Sequence, residues 1–308
     1  MKVIDINDFS EIQKETAGTT GFFDGVHRGH RYLIEQLKDK AALLGLPSSL
    51  ITFSNHPKKI LDKNFQVALL NSFDERIDRL ASTGIDYCYV IRFTQAFSEI
   101  TAEDFIRQVL REQLKLKFLL IGYDHRFGKG RRDTFEHYLT FGRMYGLTVD
   151  KAGKLPDDSV SSFSSTTIRH LLQEGEVKKA AGMLAYNYPL VGIVIAGDRV
   201  GRTIGFPTAN IELIEKEKLI PKEGVYAGCV SLDGKKYDGM VYIGRRPTLS
   251  LQGESRIEVH ILDFNENIYG KRICVELIDF LRPDRFFHNL NDLQKQLEKD
   301  KESVRHLK

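Results

Sequence analysis

Apolar and polar positions divide this chain into two differently patterned halves. In the first, helical faces alternate with short strand-like runs. A β-like run precedes Gly21, and Leu33, Ile34, Leu37, Ala41 and Leu44 then mark one face of a helix that Gly45-Leu46-Pro47 ends. Ser48–Phe53 reads as a buried strand, and Phe73, Ile77 and Leu80 form another helical face closed by Gly84. Tyr87–Phe93 is a strand, Thr101-Ala102-Glu103-Asp104 has the form of a capping box before a further helix, and Phe118–Ile121 is a short apolar strand. This alternation predicts a parallel sheet with helices on both faces. Around Leu184–Pro189 the pattern changes to strand after strand. Val191–Ala196, Gly224–Val230, Tyr237–Ile243, Arg256–Phe264 and Arg272–Phe280 are separated by glycine-containing turns, which predicts a closed or nearly closed antiparallel barrel. A last helix carries Leu290, Leu293 and Leu297 on one face. The expected architecture is α/β plus all-β, with domains over 1–185 and 186–308.

Composition narrows the class without naming the chemistry. A chain of 308 residues has room for two cores, and 42% hydrophobic with 28% charged residues is ordinary for a water-exposed globular protein. A formal charge of +3 is too mild for a dedicated nucleic-acid binder. Cys88, Cys229 and Cys274 lie far apart with no CxxC, so neither a disulfide framework nor a thiolate zinc site is expected, and the reading is cytoplasmic. The opening residues lack the apolar core of a signal peptide. The longest apolar run, near Leu190–Ala196, is far too short for a bilayer, so no membrane partner is expected.

Chemistry concentrates in Gly21-Phe22-Phe23-Asp24-Gly25-Val26-His27-Arg28-Gly29-His30, where the chain turns from strand to helix. A helix N-terminus offers unpaired N–H groups and partial positive charge, imidazoles add donors near pH 7, and glycines allow close approach; together these favour nucleotide phosphates. A zinc reading of His27 and His30 lacks further ligands at suitable spacing. His56, before Pro57, and the loop Gly122–Arg132 also follow strands, and open parallel sheets bind ligands at that end. Ser164-Ser165-Thr166-Thr167-Ile168-Arg169 reads either as a second anion clamp or as a plain N-cap followed by a solvated arginine. In the second half, Gly197–Asn210 reads as a phosphate and hard-cation cradle or as a glycine-rich β-turn. Period-two alternation puts Glu258 and His260 on one strand face, opposite the apolar residues.

GFFDGVHRGH with SSTTIR resembles the nucleotidyltransferases that carry an HxGH motif, and TFSNHP with IGYDHRFGKGRR resembles their prokaryotic FAD synthetase branch. GRTIGFPTAN, PKEGVYAG and EVHILDFNENIYGKR resemble the riboflavin kinase domain that follows it in bifunctional bacterial enzymes. The resemblance implies a Rossmann-like N-terminal domain, a C-terminal β-barrel, and synthesis of FMN from riboflavin and of FAD from FMN, each with ATP and Mg²⁺. It implies that His27 and His30 bind ATP phosphates, with Phe23, Asp24 and Gly25 in the same loop, and that Ser165, Thr166 and Arg169 form a second clamp. Gly122, Asp124 and Phe127 would lie near flavin or adenine. Glu258 would be the general base, Thr208 and Asn210 would hold Mg²⁺, and Gly201, Thr203, Gly205 and Pro207 would shape the nucleotide loop. Four places depart from the family pattern: Asn55 for proline, His125 for phenylalanine, Tyr242 for the asparagine of Asn-Ile-Gly, and Glu266-Asn267 for Gly-Asp. Other HxGH nucleotidyltransferases do not account for the barrel motifs, and a class I aminoacyl-tRNA synthetase needs a KMSKS-like loop that SSTTIR is not. A non-catalytic flavin- or RNA-binding regulator on the same folds is the alternative from another class.

Overall fold

Alternation within each strand builds a three-layered first unit. The computed structural model describes residues 1–6, 14–62, 64–66, 68–156, 163–197, 201, 204–245 and 255–307. Its first unit comprises Met1–Val67 and Asn71–Phe163. In chain order it contains β1 (Lys2–Asp5), β2 (Thr16–Thr20), α1 (Arg28–Leu44), β3 (Ser48–Phe53), α2 (Pro57–Leu61), α3 (Phe73–Ala81) and β4 (Tyr87–Ile91). These are followed by α4 (Gln95–Ser98), α5 (Ala102–Asp104) running on in wider π-type turns over Phe105–Gln113, β5 (Leu116–Ile121), α6 (Phe135–Tyr145) and β6 (Thr148–Lys151). The strands are parallel in the order β1-β4-β3-β2-β5-β6.

Leu50, Cys88, Val90, Phe118 and Leu120 face one core with Ile34, Leu37 and Leu80 of α1 and α3. Their strand neighbours Ile51, Tyr89, Ile91, Leu119 and Ile121 face the other, with Phe105, Ile106, Val109 and Tyr138. Cys88 belongs to the core, where burial pushes its thiol up to about 12. Helix α1 stops as expected: Gly45 takes φ +64° and its N–H bonds back to the Ala41 and Ala42 carbonyls. Elements β1 and β6, not anticipated from the sequence, are the two edge strands. Edge strands are short and half-covered, so their apolar pattern is weak.

The second unit comprises Ala68–Leu70 and Ser164–Lys308. It contains α7 (Ser165–Gln173), α8 (Val177–Leu184), β7 (Tyr188–Ile195), β8 (Ala209–Leu213), β9 (Gly224–Leu232), β10 (Lys235–Arg245), β11 (Ser255–Ile261), β12 (Arg272–Arg282) and α9 (Leu290–His306). The six strands close into an antiparallel barrel, β10-β11-β8-β7-β12-β9, with β9 pairing back to β10. Strand β8, not assigned from the sequence, forms because Ile211 supplies one buried residue and pairing with β7 and β11 supplies the rest. Two expectations need correcting. The run expected to Phe264 ends at Ile261, and Asp263 takes a left-handed turn at φ +55°. In α9, Leu290 is exposed, and the packed face is Leu297 with Val304. Beside it Asp300, 3% exposed, accepts a fork of hydrogen bonds from Arg282 of β12 at 2.8–3.1 Å.

The chain passes from the first compact unit to the second at 163/164. Helix α8 packs on β7 and β12, and α7 packs on α8. Leu69 exchanges backbone hydrogen bonds with Glu217 and Leu219, and Lys218 Nζ donates to the Leu70 carbonyl, so Ala68–Leu70 joins this unit.

Candidate active sites

Strand β2 sits at the switch point of the first sheet, with β3 on one side and β5 on the other. The turn that leaves it is conformationally costly. Phe23, Gly25 and Val26 all take positive φ (57°, 83° and 39°), and for a β-branched valine this region is strained. The surroundings hold it there. Phe23 and Val26 are buried, Gly21 N–H bonds to the Ile51 carbonyl at 3.0 Å, Thr52 Oγ1 donates to the Phe22 carbonyl at 3.3 Å, and Asp24 Oδ1 accepts the Asn71 N–H at 3.1 Å.

The turn delivers His27 to the N-cap of α1, where its Nδ1 accepts the His30 N–H at 3.4 Å. An accepting Nδ1 puts the neutral ring's proton on Nε2, which makes that edge a donor. The two imidazoles stack with centroids 3.6 Å apart, and Phe23 meets His30 edge-on at 5.3 Å. Burial first, then the proximity of His27, His125 and Arg76, holds the His30 pKa well below the ordinary imidazole value, so His30 is neutral at pH 7. Its Nδ1 is buried and has no hydrogen-bond partner among the described residues. A buried polar atom without a partner is costly, and a phosphate oxygen is the kind of group that would satisfy it.

The neighbouring strand ends converge here. His56 caps α2 by accepting the Lys58 N–H at 3.2 Å, and it meets Phe22 edge-on at 4.6 Å. After β5, the His125 N–H closes a turn onto the Gly122 carbonyl at 3.1 Å, and Gly122 lies against His125 and Leu33. Asp124 is exposed. Phe127 is half-buried: it stacks on Tyr138 at 4.2 Å, and its backbone bonds to the Tyr138 hydroxyl. Asn55, the departure from proline, exchanges two hydrogen bonds of 2.9 Å with the Phe93 backbone and so ties the ends of β3 and β4. Ser165, Thr166 and Arg169 lie in the second unit, at the start of α7; Ser164 is the N-cap, and Arg169 Nε donates to the Ala68 carbonyl at 2.7 Å.

His125 carries a testable consequence. Burial, then the nearby Arg131, pushes its pKa down to about 4, against the attraction of Asp124. A histidine neutral in the fold but protonated when unfolded stabilises fully above pH 6.5, and the contribution is lost as pH falls towards 4. His125→Phe is therefore expected to lose less stability than the native chain between pH 7.5 and pH 5, by about 1–2 kcal/mol. Denaturant melts at the two pH values check this; equal losses would contradict it.

The barrel builds its own centre on the outer face of β8 and β11. Ile257, Val259 and Ile261 point inward, so Arg256, Glu258 and His260 share the opposite face. Glu258 pairs across strands with Asn210 on one side and Tyr242 on the other. Its carboxylate accepts from Thr208 Oγ1 at 2.8 Å and pairs with Arg256 Nε at 2.5 Å, while Arg256 Nε also reaches Asn210 Oδ1 at 3.1 Å. His260 Nδ1 lies 2.8 Å from the Pro207 carbonyl oxygen, and burial lowers its pKa. Tyr242 donates to Asp284 at 2.9 Å; burial and then that hydrogen bond push its phenol up to about 12.

The loop before β8 leaves no space for side chains at two glycines. A Cβ on Gly197 would overlap the Asn210 carboxamide, and one on Gly201 would overlap the Phe206 carbonyl. Gly205 adopts φ +83° in the same turn, whereas Thr203 lies outside the described residues. A cavity of about 640 Å³, a volume suited to a nucleotide, is lined by the inward-facing Val259 and Ile261 together with Pro207, Thr208, Glu266 and Tyr269, so that Thr208 is what it shares with the Glu258 cluster. Thr208, Asn210 and Glu258 are all hard-oxygen donors, which suits Mg²⁺ shared with substrate phosphates. No group of three His, Cys, Asp or Glu among the described residues forms a metal cage independent of substrate.

Comparison with known proteins gives each half of the chain a family. The sequence profile described as FAD synthetase matches residues 9–167, and that described as riboflavin kinase matches 184–308. The bifunctional riboflavin kinase/FMN adenylyltransferase of Listeria monocytogenes is 38% identical over 98% of this chain and 95% of its own length. The chain belongs to this bifunctional family. Family proteins of the same name from Escherichia coli K12 and Bacillus subtilis are 35% and 33% identical, covering 99% and 96% of this chain and 97% and 93% of their own. A crystal structure described as a macrolide-efflux protein of Streptococcus pneumoniae superposes with a TM-score of 0.89 at 30% identity, covering 99% of each chain. In the present structure no helix among the described residues is long and apolar enough to cross a membrane. As a family member the chain is an enzyme of flavin-cofactor synthesis, with a FAD synthetase part and a riboflavin kinase part.

Two site residues were not anticipated. Arg256 was accessible to the same period-two reading that selected Glu258. Arg76 occupies the apolar face of α3 between Phe73 and Leu80, and a charge on such a face is the signal it left.

Proposed function

We propose that the first unit's His27–His30 turn performs FMN adenylylation and that the Glu258 face of the barrel performs riboflavin phosphorylation, with the activities dividing at 185/186. What carries this reading is that each unit holds its own donor set: in one, a stacked imidazole pair whose buried His30 Nδ1 has no partner among the described residues, and in the other a Glu258–Asn210–Thr208 oxygen cluster whose Thr208 also lines a nucleotide-sized cavity.

In the barrel, Glu258 takes the proton of the riboflavin 5′-hydroxyl as that oxygen bonds to the γ-phosphorus of ATP; the bond to the β-phosphate oxygen breaks and ADP leaves. Thr208 and Asn210 would hold Mg²⁺, which when bound neutralises phosphate charge. Gly201, Gly205 and Pro207 shape the loop beside them, and Thr203 is assigned to it from sequence. Arg256 holds the carboxylate and the carboxamide in place before substrate arrives.

In the first unit, an FMN phosphate oxygen attacks the α-phosphorus of ATP, the bond to the β-phosphate oxygen breaks, and pyrophosphate leaves. His27 and His30 hydrogen-bond the phosphates as negative charge redistributes, so no covalent intermediate on the protein is required. Phe23, Asp24 and Gly25 fix that turn, and Gly122 and Asp124 border the flavin or adenine. Phe127 acts through its packing. Ser165, Thr166 and Arg169 are assigned to a second phosphate clamp. We place both reactions in the cytoplasm, on the wide spacing of the three cysteines.

Incubation of the purified chain with riboflavin, ATP and Mg²⁺, followed by chromatography, is expected to give FMN and then FAD, and EDTA is expected to stop both. Absence of either flavin product would overturn the corresponding assignment, and absence of both would favour a flavin-binding regulator.

A further inference from the structure

A buried cation lies behind the phosphate turn. Arg76 is 2% exposed, and its guanidinium lies 4.0 Å from the centre of the Phe22 ring and 5.6 Å from that of Phe73. Its Nη2 donates to the Phe53 carbonyl at 2.5 Å, at the C-terminal end of β3. Its Nε has no hydrogen-bond partner among the described residues. Asp24, in the same turn as Phe22, acts on it electrostatically, and Arg76 in turn lowers the proton affinity of His30. Burying a charge is expensive, and burial, opposed in part by the attraction of Asp24, brings this guanidinium down to about 10, which still leaves it fully charged at neutral pH. A leucine would fill the space on α3 at lower cost if packing were all that the position required.

We propose that Arg76 is a positioning residue for adenylyl transfer, clamping Phe22 of the phosphate turn to the end of β3 and setting a fixed positive charge behind the His27–His30 pair. The clamp has the properties the turn needs. Phe23 and Val26 sit at strained φ, so the turn relaxes unless neighbouring groups over-determine it. A planar guanidinium stacks on Phe22 while donating in its own plane to Phe53; an ammonium has no such plane. Asp24 is 4% exposed, and a nearby fixed cation offsets the cost of burying its charge.

This inference rests on the reading of the His27–His30 turn as an ATP-phosphate site, and His30→Ala measured in parallel separates the two. In the full-length chain, Arg76→Met is expected to raise the ATP KM for FAD formation by about tenfold or more. The ATP KM for riboflavin phosphorylation, read on the same preparation, should be unchanged. A smaller folded fraction lowers kcat but does not move KM, so a merely structural role would not reproduce this split. Added guanidinium ion is expected to lower the raised KM of Arg76→Ala, and urea, of similar shape but neutral, is not. Should Arg76→Met fail to fold, Arg76→Lys is read instead, with an expected rise of about threefold because charge remains and the stacked clamp is lost. An ATP KM within experimental error of the native value in the folded variant overturns the proposal, as does equal recovery by urea. If His30→Ala leaves FAD formation intact, the reading of the turn is what fails.

Discussion

His30→Ala is expected to lower FAD formation from FMN by about 10²–10³-fold while leaving FMN formation from riboflavin at its native rate. The size of the effect follows from the position of the side chain. The half-buried ring packs against His27 and Phe23, its Nδ1 is buried with no partner among the described residues, and burial first, then the proximity of His27, His125 and Arg76, keeps it neutral. A neutral imidazole still donates a hydrogen bond through its one N–H, and in a partly dry site that bond counts most where phosphate charge redistributes. The substitution also removes one half of the stack that orients His27. Selectivity follows from the separate core beneath each centre, since His30 and Glu258 belong to different compact units. Separate assays with riboflavin and with FMN as starting flavin, on a preparation whose melting curve matches the native one, check the result. Loss of both activities in a folded variant would sink the two-centre assignment.

Glu258→Gln should produce the opposite pattern: riboflavin phosphorylation falls by about 10²–10⁴-fold in kcat, and FAD still forms when FMN is supplied. Glutamine keeps the shape and can still accept from Thr208, so β11 and its pairing with Asn210 and Tyr242 should persist. It cannot take a proton from a hydroxyl, and it removes the negative charge that Arg256 Nε meets on Glu258. That loss of charge beside Asn210 should be accompanied by a change in the ATP KM, smaller than the change in kcat. Survival of kinase activity at even one-tenth of the native level would assign the general base elsewhere.

Much of this was legible from residue order because the governing interactions are local. A period of two in Ile257-Glu258-Val259-His260-Ile261 separates the buried face from the chemical face before any partner strand is known. Gly45 after an apolar helical stripe marks a helix end, and His27-Arg28-Gly29-His30 after a strand marks a helix start that favours an anion, since orphaned N–H groups are a property of any helix N-terminus. The two-part architecture is likewise visible as a change of period near Leu184–Pro189.

What residue order left undecided depends on groups far apart in the chain. Edge strands β1 and β6 and barrel strand β8 carry little apolar signal, and they form because neighbouring strands need their hydrogen bonds satisfied. Helices α7 and α8 lie on the first side of that change of period yet pack with the barrel, because α8's apolar face meets β7 and β12. Arg76 stands out in the sequence only as a charge on the apolar face of α3, and what it does there depends on Phe22, Phe53 and Asp24 closing around it. The stacking of His27 on His30 and the Arg256 bridge across Glu258 and Asn210 belong to the same class. Local periodicity dictates which face a side chain occupies, but desolvation and charge depend on what the rest of the chain brings to that face.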